Sequence, residues 1–121
     1  MSTTKNATHL TGNEGSEWDL EEASAWTKNH REKHPDHPVS HFYGKEILQK
    51  ILAQEGCMGI RFYHAYDHHG KKHLILTGAT ADGEDMLNTT ATDGLQPHIV
   101  GQAGTPCPGG AGCPTNSLTG N

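Results

Sequence analysis

Histidine is the residue type with the clearest chemical potential in this chain, which contains ten of them among 121 residues. Most lie in two groups, one around the end of the first predicted helix and one on a predicted hairpin: His30, His34, His37 and His41, then His64, His68, His69 and His73. Two imidazoles four residues apart on a helix can bind one transition-metal ion, and His30 and His34 have this spacing. His64 and His73 could approach each other across the hairpin. The sequence therefore suggests that His30, His34, His64 and His73 together form a zinc, nickel or copper site.

The histidines also have a simpler interpretation, in which they are ordinary exposed side chains. Pro35 should fray the first helix at His34, and histidines in a turn lie in solvent. The chain also lacks the HExxH and paired CxxC spacings of established zinc sites. We therefore expect no bound cofactor, and a histidine-rich transition-metal-binding protein is the alternative function.

Three cysteines occur, and their odd number without an apolar leader favours reduced thiols. Cys57 precedes an apolar strand and should be a small buried residue. Cys107 and Cys113 lie in the tail, where they could close a short loop in an oxidising compartment. The other interpretations of the tail are a disordered linker, a segment that docks on another subunit, and a metal clip.

A nucleophilic enzyme needs a nucleophile, a base and an orienting group that meet in space. Cys57, His64 and Asp67 have suitable chemistry, but on one extended strand Cys57 and His64 would be about 20 Å apart. No GxSxG, P-loop or dinucleotide-binding pattern is present in the sequence. The sequence therefore predicts a protein that is not an enzyme.

Two helices are predicted in the first half of the chain. The first begins after Asp19, whose spacing to Glu22 is the capping-box pattern, and ends near Lys33, before a proline. The second covers about residues 42–55, where apolar residues recur at i, i+4 spacing. Gly56 stands where a left-handed residue is expected to end this helix.

A β-hairpin is predicted after the helices. Aromatic and β-branched residues indicate a strand over residues 57–66 or 58–66. Gly70 suits the turn, and the return strand covers residues 72–77 or 72–79. The apolar run at 98–100 could add a short edge strand.

These elements predict an α+β fold: two helices followed by an antiparallel β-hairpin, with a third short strand as an option. The domain organisation follows from composition. Residues 1–16 form a flexible N-terminal segment, residues 17–87 form the core domain, and residues 88–121 form a flexible Gly/Pro-rich tail with Cys107 and Cys113.

Charge and hydropathy argue against two classes of function. The formal net charge is −5 and no run of Lys or Arg occurs, so we expect no nucleic-acid partner. No apolar stretch approaches the 18 or so residues that span a bilayer, so we expect no membrane span. The N-terminus shows no apolar leader, which favours the cytoplasm, although export that is independent of a signal would leave no mark.

The small size of the predicted core indicates the kind of function. A core domain of about 70 residues gains only roughly 3–5 kcal/mol from one small core, and a hairpin leaves two sheet edges open. We therefore expect a non-enzymatic structural or adaptor subunit that self-associates as a homo-oligomer or docks on a protein partner. The candidate contact residues are Trp18, Tyr63, Tyr66, Cys107 and Cys113.

Two segments and the tail carry a resemblance to a known group of proteins. The segments are HFYGKEILQKILAQEGCMGIRFYHAYD and HLILTGATADGEDM, and the tail has two cysteines next to prolines. In pattern and order the chain resembles a family of small bacterial proteins of the Bacteroidetes type. The resemblance implies a helix-helix-hairpin core with a Gly/Pro/Cys tail. It implies no activity and no site residue, because none is established for that family.

Overall fold

The computed structural model describes residues 9–88 and 96–120. It has the following elements in chain order: α1 (Leu20–Lys33), β1 (Ser40–Phe42), α2 (Lys45–Leu52), β2 (Gly59–Tyr66), β3 (Lys72–Ala79), β4 (Val100–Gly101) and β5 (Thr105–Cys107). The predicted α+β fold class is confirmed, since two helices and an antiparallel hairpin are present and a third short strand extends the hairpin. The beginning of the predicted N-terminal segment and residues 89–95 of the predicted tail lie outside the described residues.

The first helix begins where its capping box predicts. The carboxylate of Asp19 accepts a hydrogen bond of 2.9 Å from the backbone N–H of Glu22, which satisfies one of the free donors at a helix start. The helix ends at Lys33, because the proline two residues later restricts the residue before it.

The first helix lies on the surface of the molecule. None of its residues is buried, and Trp18 and Trp26 are 58% and 56% exposed. Their rings contact each other edge-on, with a centroid distance of 4.1 Å. This aromatic pair is therefore a surface feature and contributes little to the core.

The second helix is shorter than predicted. Residues 42–55 were expected to be helical, but α2 covers only Lys45–Leu52. Its start is later than expected because Ser40–Phe42 form β1 instead. Its apolar face is as expected, with Ile51 fully buried. Gly56 has a φ of 85°, in the left-handed region, but it does not end the helix as predicted, because the C-cap residue is Ala53. Within the described residues, neither helix is long and apolar enough to cross a membrane.

The hairpin forms a regular antiparallel ladder. Each residue of β2 faces one residue of β3, from Gly59 opposite Ala79 to Tyr66 opposite Lys72. Gly70 in the turn has a φ of 80°, which a glycine adopts without strain. The short strand β4 pairs with the far side of β3, so the sheet has the order β2-β3-β4.

The tail folds back on the domain. Its strand β5 pairs with β1, and a disulfide joins Cys107 to Cys113 across a sequence separation of 6. A side chain at Gly110 would lie 2.3 Å from Cγ2 of Thr105 and 2.5 Å from the carbonyl oxygen of Pro106, so the loop closes only with glycine there. The sequence favoured reduced thiols at these two cysteines, whereas the structure pairs them.

The core lies between α2 and one face of the three-stranded sheet. In the part of the chain that the structure describes, two large side chains are fully buried, Ile51 of α2 and Leu76 of β3. Where α2 crosses the sheet, a Cβ at Gly101 of β4 would lie 3.3 Å from side-chain atoms of both Ile47 and Ile51. The other buried apolar residues among the described ones are Ala79, Met86 and Cys107. This is a small core for a chain of 121 residues.

Candidate interaction surfaces

β2 is an outer strand of its sheet, and contacts of β3 show which of its backbone groups face outward. The carbonyl of Leu74 accepts a hydrogen bond from the Tyr43 hydroxyl, and the carbonyl of Gly78 accepts one from the N–H of Met86. Both carbonyls therefore point away from β2. Because backbone groups of successive residues point to opposite sides of a strand, every second residue of β3 directs its N–H and C=O away from β2.

The residues of β2 opposite these positions direct their own N–H and C=O away from β3. By the register they are Ile60, Phe62, His64 and Tyr66. Within residues 9–88 and 96–120, no backbone group bonds to them on that side. We call this row the β2 edge. A long, regular strand edge of this kind is a template for pairing with another strand.

Three of the four side chains of the β2 edge, those of Phe62, His64 and Tyr66, are aromatic and exposed. Phe62 is 50% exposed and Tyr66 is 66% exposed. Phe62 faces the buried Leu76 in the register, so this row lies on the face of the sheet that α2 covers. His64 is also exposed, and its Nδ1 accepts a hydrogen bond of 2.7 Å from Nζ of Lys72.

The other face of the hairpin carries an anchored polar cluster. The carboxylate of Asp85 accepts hydrogen bonds from the Tyr63 hydroxyl and the Arg61 guanidinium, and one of 3.4 Å from Thr77. The bonds from Tyr63 and Arg61 hold the pKa of Asp85 below its usual value, and the same carboxylate raises the pKa of Tyr63. Asp85 is therefore ionised and Tyr63 protonated at neutral pH, and the cluster fixes the turn after β3 to the sheet.

Three histidines meet at the end of α1, and we call them the histidine cluster. The ring centroids of His30, His34 and His37 are 5.1, 6.0 and 4.5 Å apart, and the rings of His34 and His37 are stacked. Burial lowers the pKa of His30, and the charges of His34, His37 and Lys72 lower it further. The folded protein therefore favours neutral His30.

An open groove of about 880 Å³ lies between this cluster and the hairpin turn. Its basic side chains are Arg31, Lys71 and Lys72, and Asp36 is the one acidic side chain among its lining residues. The remaining lining residues are mainly histidines, prolines and small residues: His34, Pro35, His37, Pro38, Val39, Tyr66, Gly70, His73, Pro106, Pro108 and Gly109.

The four predicted metal ligands are not brought together as one set. His30 and His34 are neighbours, as their helical spacing predicts, but the residue that joins them is His37. His37 belongs to the first histidine group but was not among the predicted ligands, although the turn at Pro35 could have suggested that it folds back towards the helix. Among the described residues, no three His, Cys, Asp or Glu side chains are arranged to hold a metal ion.

His64 and His73 are separated by the hairpin register. His64 faces Leu74, whereas His73 faces Ala65, so the two imidazoles point to opposite faces of the sheet. Nε2 of His73 lies 2.9 Å from a carboxylate oxygen of Asp67. The backbone N–H of Lys71 and the ring of His73 lower the pKa of Asp67 to about 2.

The predicted contact residues divide into two kinds. Trp18, Tyr63 and Tyr66 are exposed by 58%, 44% and 66%, so all three can reach another molecule. Cys107 is buried and Cys113 is exposed, and their sulfur atoms are bonded to each other. A contact role for these two cysteines stays a prediction.

The lowered pKa of His30 gives an expected dependence on pH. In the unfolded chain this histidine takes up a proton near pH 6.5, and in the folded chain only at a lower pH. The unfolded state thus binds more protons as pH falls below about 6.5, so the contribution of neutral His30 to stability, present above that pH, is lost on acidification. NMR titration of the His30 ring should give a pKa below 6.5.

A double variant separates the causes of this shift. Replacing both neighbours, His34→Gln with His37→Gln, removes the charges that these two rings place beside His30 and leaves a neutral side chain at each position. The pKa of His30 should then rise only part of the way towards its usual value, because burial, the first of the causes, and the charge of Lys72 still act on it. A His30 that titrates at or above its usual value in the unchanged chain would contradict the observed packing.

Comparisons with protein-family models, with curated proteins and with solved structures found no match to this chain.

Proposed function

We propose that this protein is a non-enzymatic structural or adaptor subunit that works by associating with other protein chains. The observation that carries this proposal is the β2 edge. Its outward N–H and C=O groups have no backbone partner in the part of the chain that the structure describes, and its side chains Phe62 and Tyr66 are at least half exposed. Edges of this kind are usually covered, shortened or charged in proteins that remain monomeric.

The energetics of the fold support the same proposal. Among the described residues, only Ile51 and Leu76 are large and fully buried, and a core of this size stabilises a domain weakly. Association would add buried apolar area to the folded state and stabilise it by mass action. The exposed pair of Trp18 and Trp26 offers a second aromatic contact on α1, since tryptophan is enriched at the centres of interfaces.

The disulfide bears on the compartment in which such a subunit would work. The bond between Cys107 and Cys113 persists in oxidising surroundings and is rare in a reducing cytosol. It therefore supports an exported or envelope location over the cytoplasmic one that the sequence favoured.

Light scattering over a range of concentrations tests the proposed function. A single chain has a mass of 13.1 kDa, and we expect the average mass to rise well above this value as the concentration approaches roughly 100 μM, because small interfaces give weak complexes. A mass that stays at that of one chain, at high concentration and under oxidising conditions, would overturn the proposal of a self-associating subunit.

A further inference from the structure

We propose that the β2 edge pairs with the β2 edge of a second copy of this chain, antiparallel, around a two-fold axis at His64. This inference rests on the proposed function and names its partner and its contact residues. In this register Phe62 of one copy faces Tyr66 of the partner subunit, and His64 faces its own counterpart. The two three-stranded sheets then become one continuous sheet across the axis.

The backbone of β2 suits this pairing. The residues with outward N–H and C=O alternate along the strand (Ile60, Phe62, His64, Tyr66). The outward N–H and C=O groups of two antiparallel copies face each other only when the two-fold axis passes through a residue. An axis between two residues would set each outward residue against one whose backbone groups point towards β3. An axis at His64 gives roughly six hydrogen bonds between the copies, since each hydrogen-bonded pair exchanges two.

The surroundings of the strand select His64 among the permitted axes. Leu10, Gly12 and Glu14 line a groove together with the half of β2 that begins after Met58, and this groove reaches as far as Ile60 and Phe62. Ile60 is only half-exposed, whereas Phe62, His64 and Tyr66 are exposed. The free half of the edge is therefore the one centred on His64.

The side chains are complementary in the same register. On the face that α2 covers, the exposed ring of Phe62 meets the exposed ring of Tyr66 of the partner subunit, a favourable cross-strand pair. On the other face, Arg61 faces Asp67 of the partner subunit, and Tyr63 faces Ala65 of the partner subunit. The register thus places opposite charges near each other at two symmetric positions, while Arg61 and Asp67 keep their partners within the chain, Asp85 and His73.

A disulfide between the copies tests both the pairing and the register. In the proposed dimer, residues 63 and 65 of opposite copies form a non-hydrogen-bonded pair with Cα atoms about 4.5 Å apart, within the range that a disulfide bridges. Two chains would be prepared, Tyr63→Cys and Ala65→Cys, each with Cys57→Ser to remove the free thiol. They would be mixed and oxidised with oxidised glutathione, which is reduced as the disulfide forms.

The expected result is a covalent dimer in the mixture of the two chains and none with either chain alone. The two residues at position 63, one in each copy, would have their Cα atoms about 8 Å apart, beyond the reach of a disulfide. A covalent dimer from Tyr63→Cys alone would place the axis at Tyr63 and overturn the register. No covalent dimer at all, with light scattering still showing association, would overturn pairing through β2 while leaving the proposed function standing. A monomer by light scattering would overturn both.

A second variant tests the edge without new cysteines. His64→Lys places two ammonium groups opposite each other at the axis, and lysine on a strand edge is one means by which natural proteins prevent pairing. The backbone of His64 bonds to no other described residue. We expect dimer affinity to fall at least tenfold with an unchanged circular dichroism spectrum. The matched control Lys50→Ala, on the exposed side of α2, should leave the affinity unchanged. Equal affinities for all three chains would overturn the pairing.

Discussion

Replacing Leu76 with alanine should leave little folded protein, because it lowers the free energy of unfolding by about 3 kcal/mol. Leu76 has no exposed surface and lies on β3, the central strand, where it faces Phe62 of β2 and Gly101 of β4. A core as small as this one supplies only roughly 3–5 kcal/mol, so the loss approaches the entire free energy of unfolding. Urea unfolding followed by circular dichroism measures it, and the folded baseline should be shortened or absent in Leu76→Ala.

Leu52→Ala is the matched control for this variant, because it deletes the same atoms from a side chain that is 49% exposed at the end of α2. Its cost should be well under half that of Leu76→Ala, since the deleted atoms already contact water. Similar losses for the two variants would mean that the core is not centred on Leu76. Both proteins should be compared at one low concentration, because association would stabilise the folded state.

The parts of the fold that the sequence predicts are those fixed by local chemistry. The start of α1 depends on Asp19 and Glu22, which are close in the chain, and the hairpin turn depends on Gly70. The pairing of β1 with β5 could not be predicted in the same way. Ser40–Phe42 gains its strand conformation from residues more than sixty positions away, and three residues carry too little pattern to reveal it.

The candidate surfaces were predictable to a similar extent. Tyr63 and Tyr66 were expected at a contact surface, and the structure leaves both exposed. The expectation that His64 and His73 approach each other depended on a register that the sequence leaves open, and a shift of one residue moves a side chain to the other face. In the observed register the partner of His73 is Ala65, and the two histidines are on opposite faces.

Opening the disulfide should destabilise the protein by about 2 kcal/mol, the loop-closure entropy expected for a loop of roughly seven residues. The variant to use is Cys113→Ala, because Cys113 is exposed whereas Cys107 is buried, so the packing of the core is left intact. The bond closes the loop that follows β5, and at the start of this loop the carbonyl of Cys107 accepts a hydrogen bond from the N–H of Val39, the residue before β1. Urea unfolding gives the loss of stability, and hydrogen exchange at Val39 should become faster.

Reduction of the unchanged chain provides the control, since dithiothreitol should lower its stability to the level of Cys113→Ala and have no further effect on that variant. Agreement between the two would assign the loss to the bond and not to the substituted side chain. If reduction left both the stability and the exchange at Val39 unchanged, the tail would be held by the β1–β5 pairing alone. The support that the disulfide gives to an oxidising compartment would then be lost, because the fold would not depend on it. The β2 edge lies on the other sheet and bonds to no part of the disulfide loop among the described residues, so association should survive reduction.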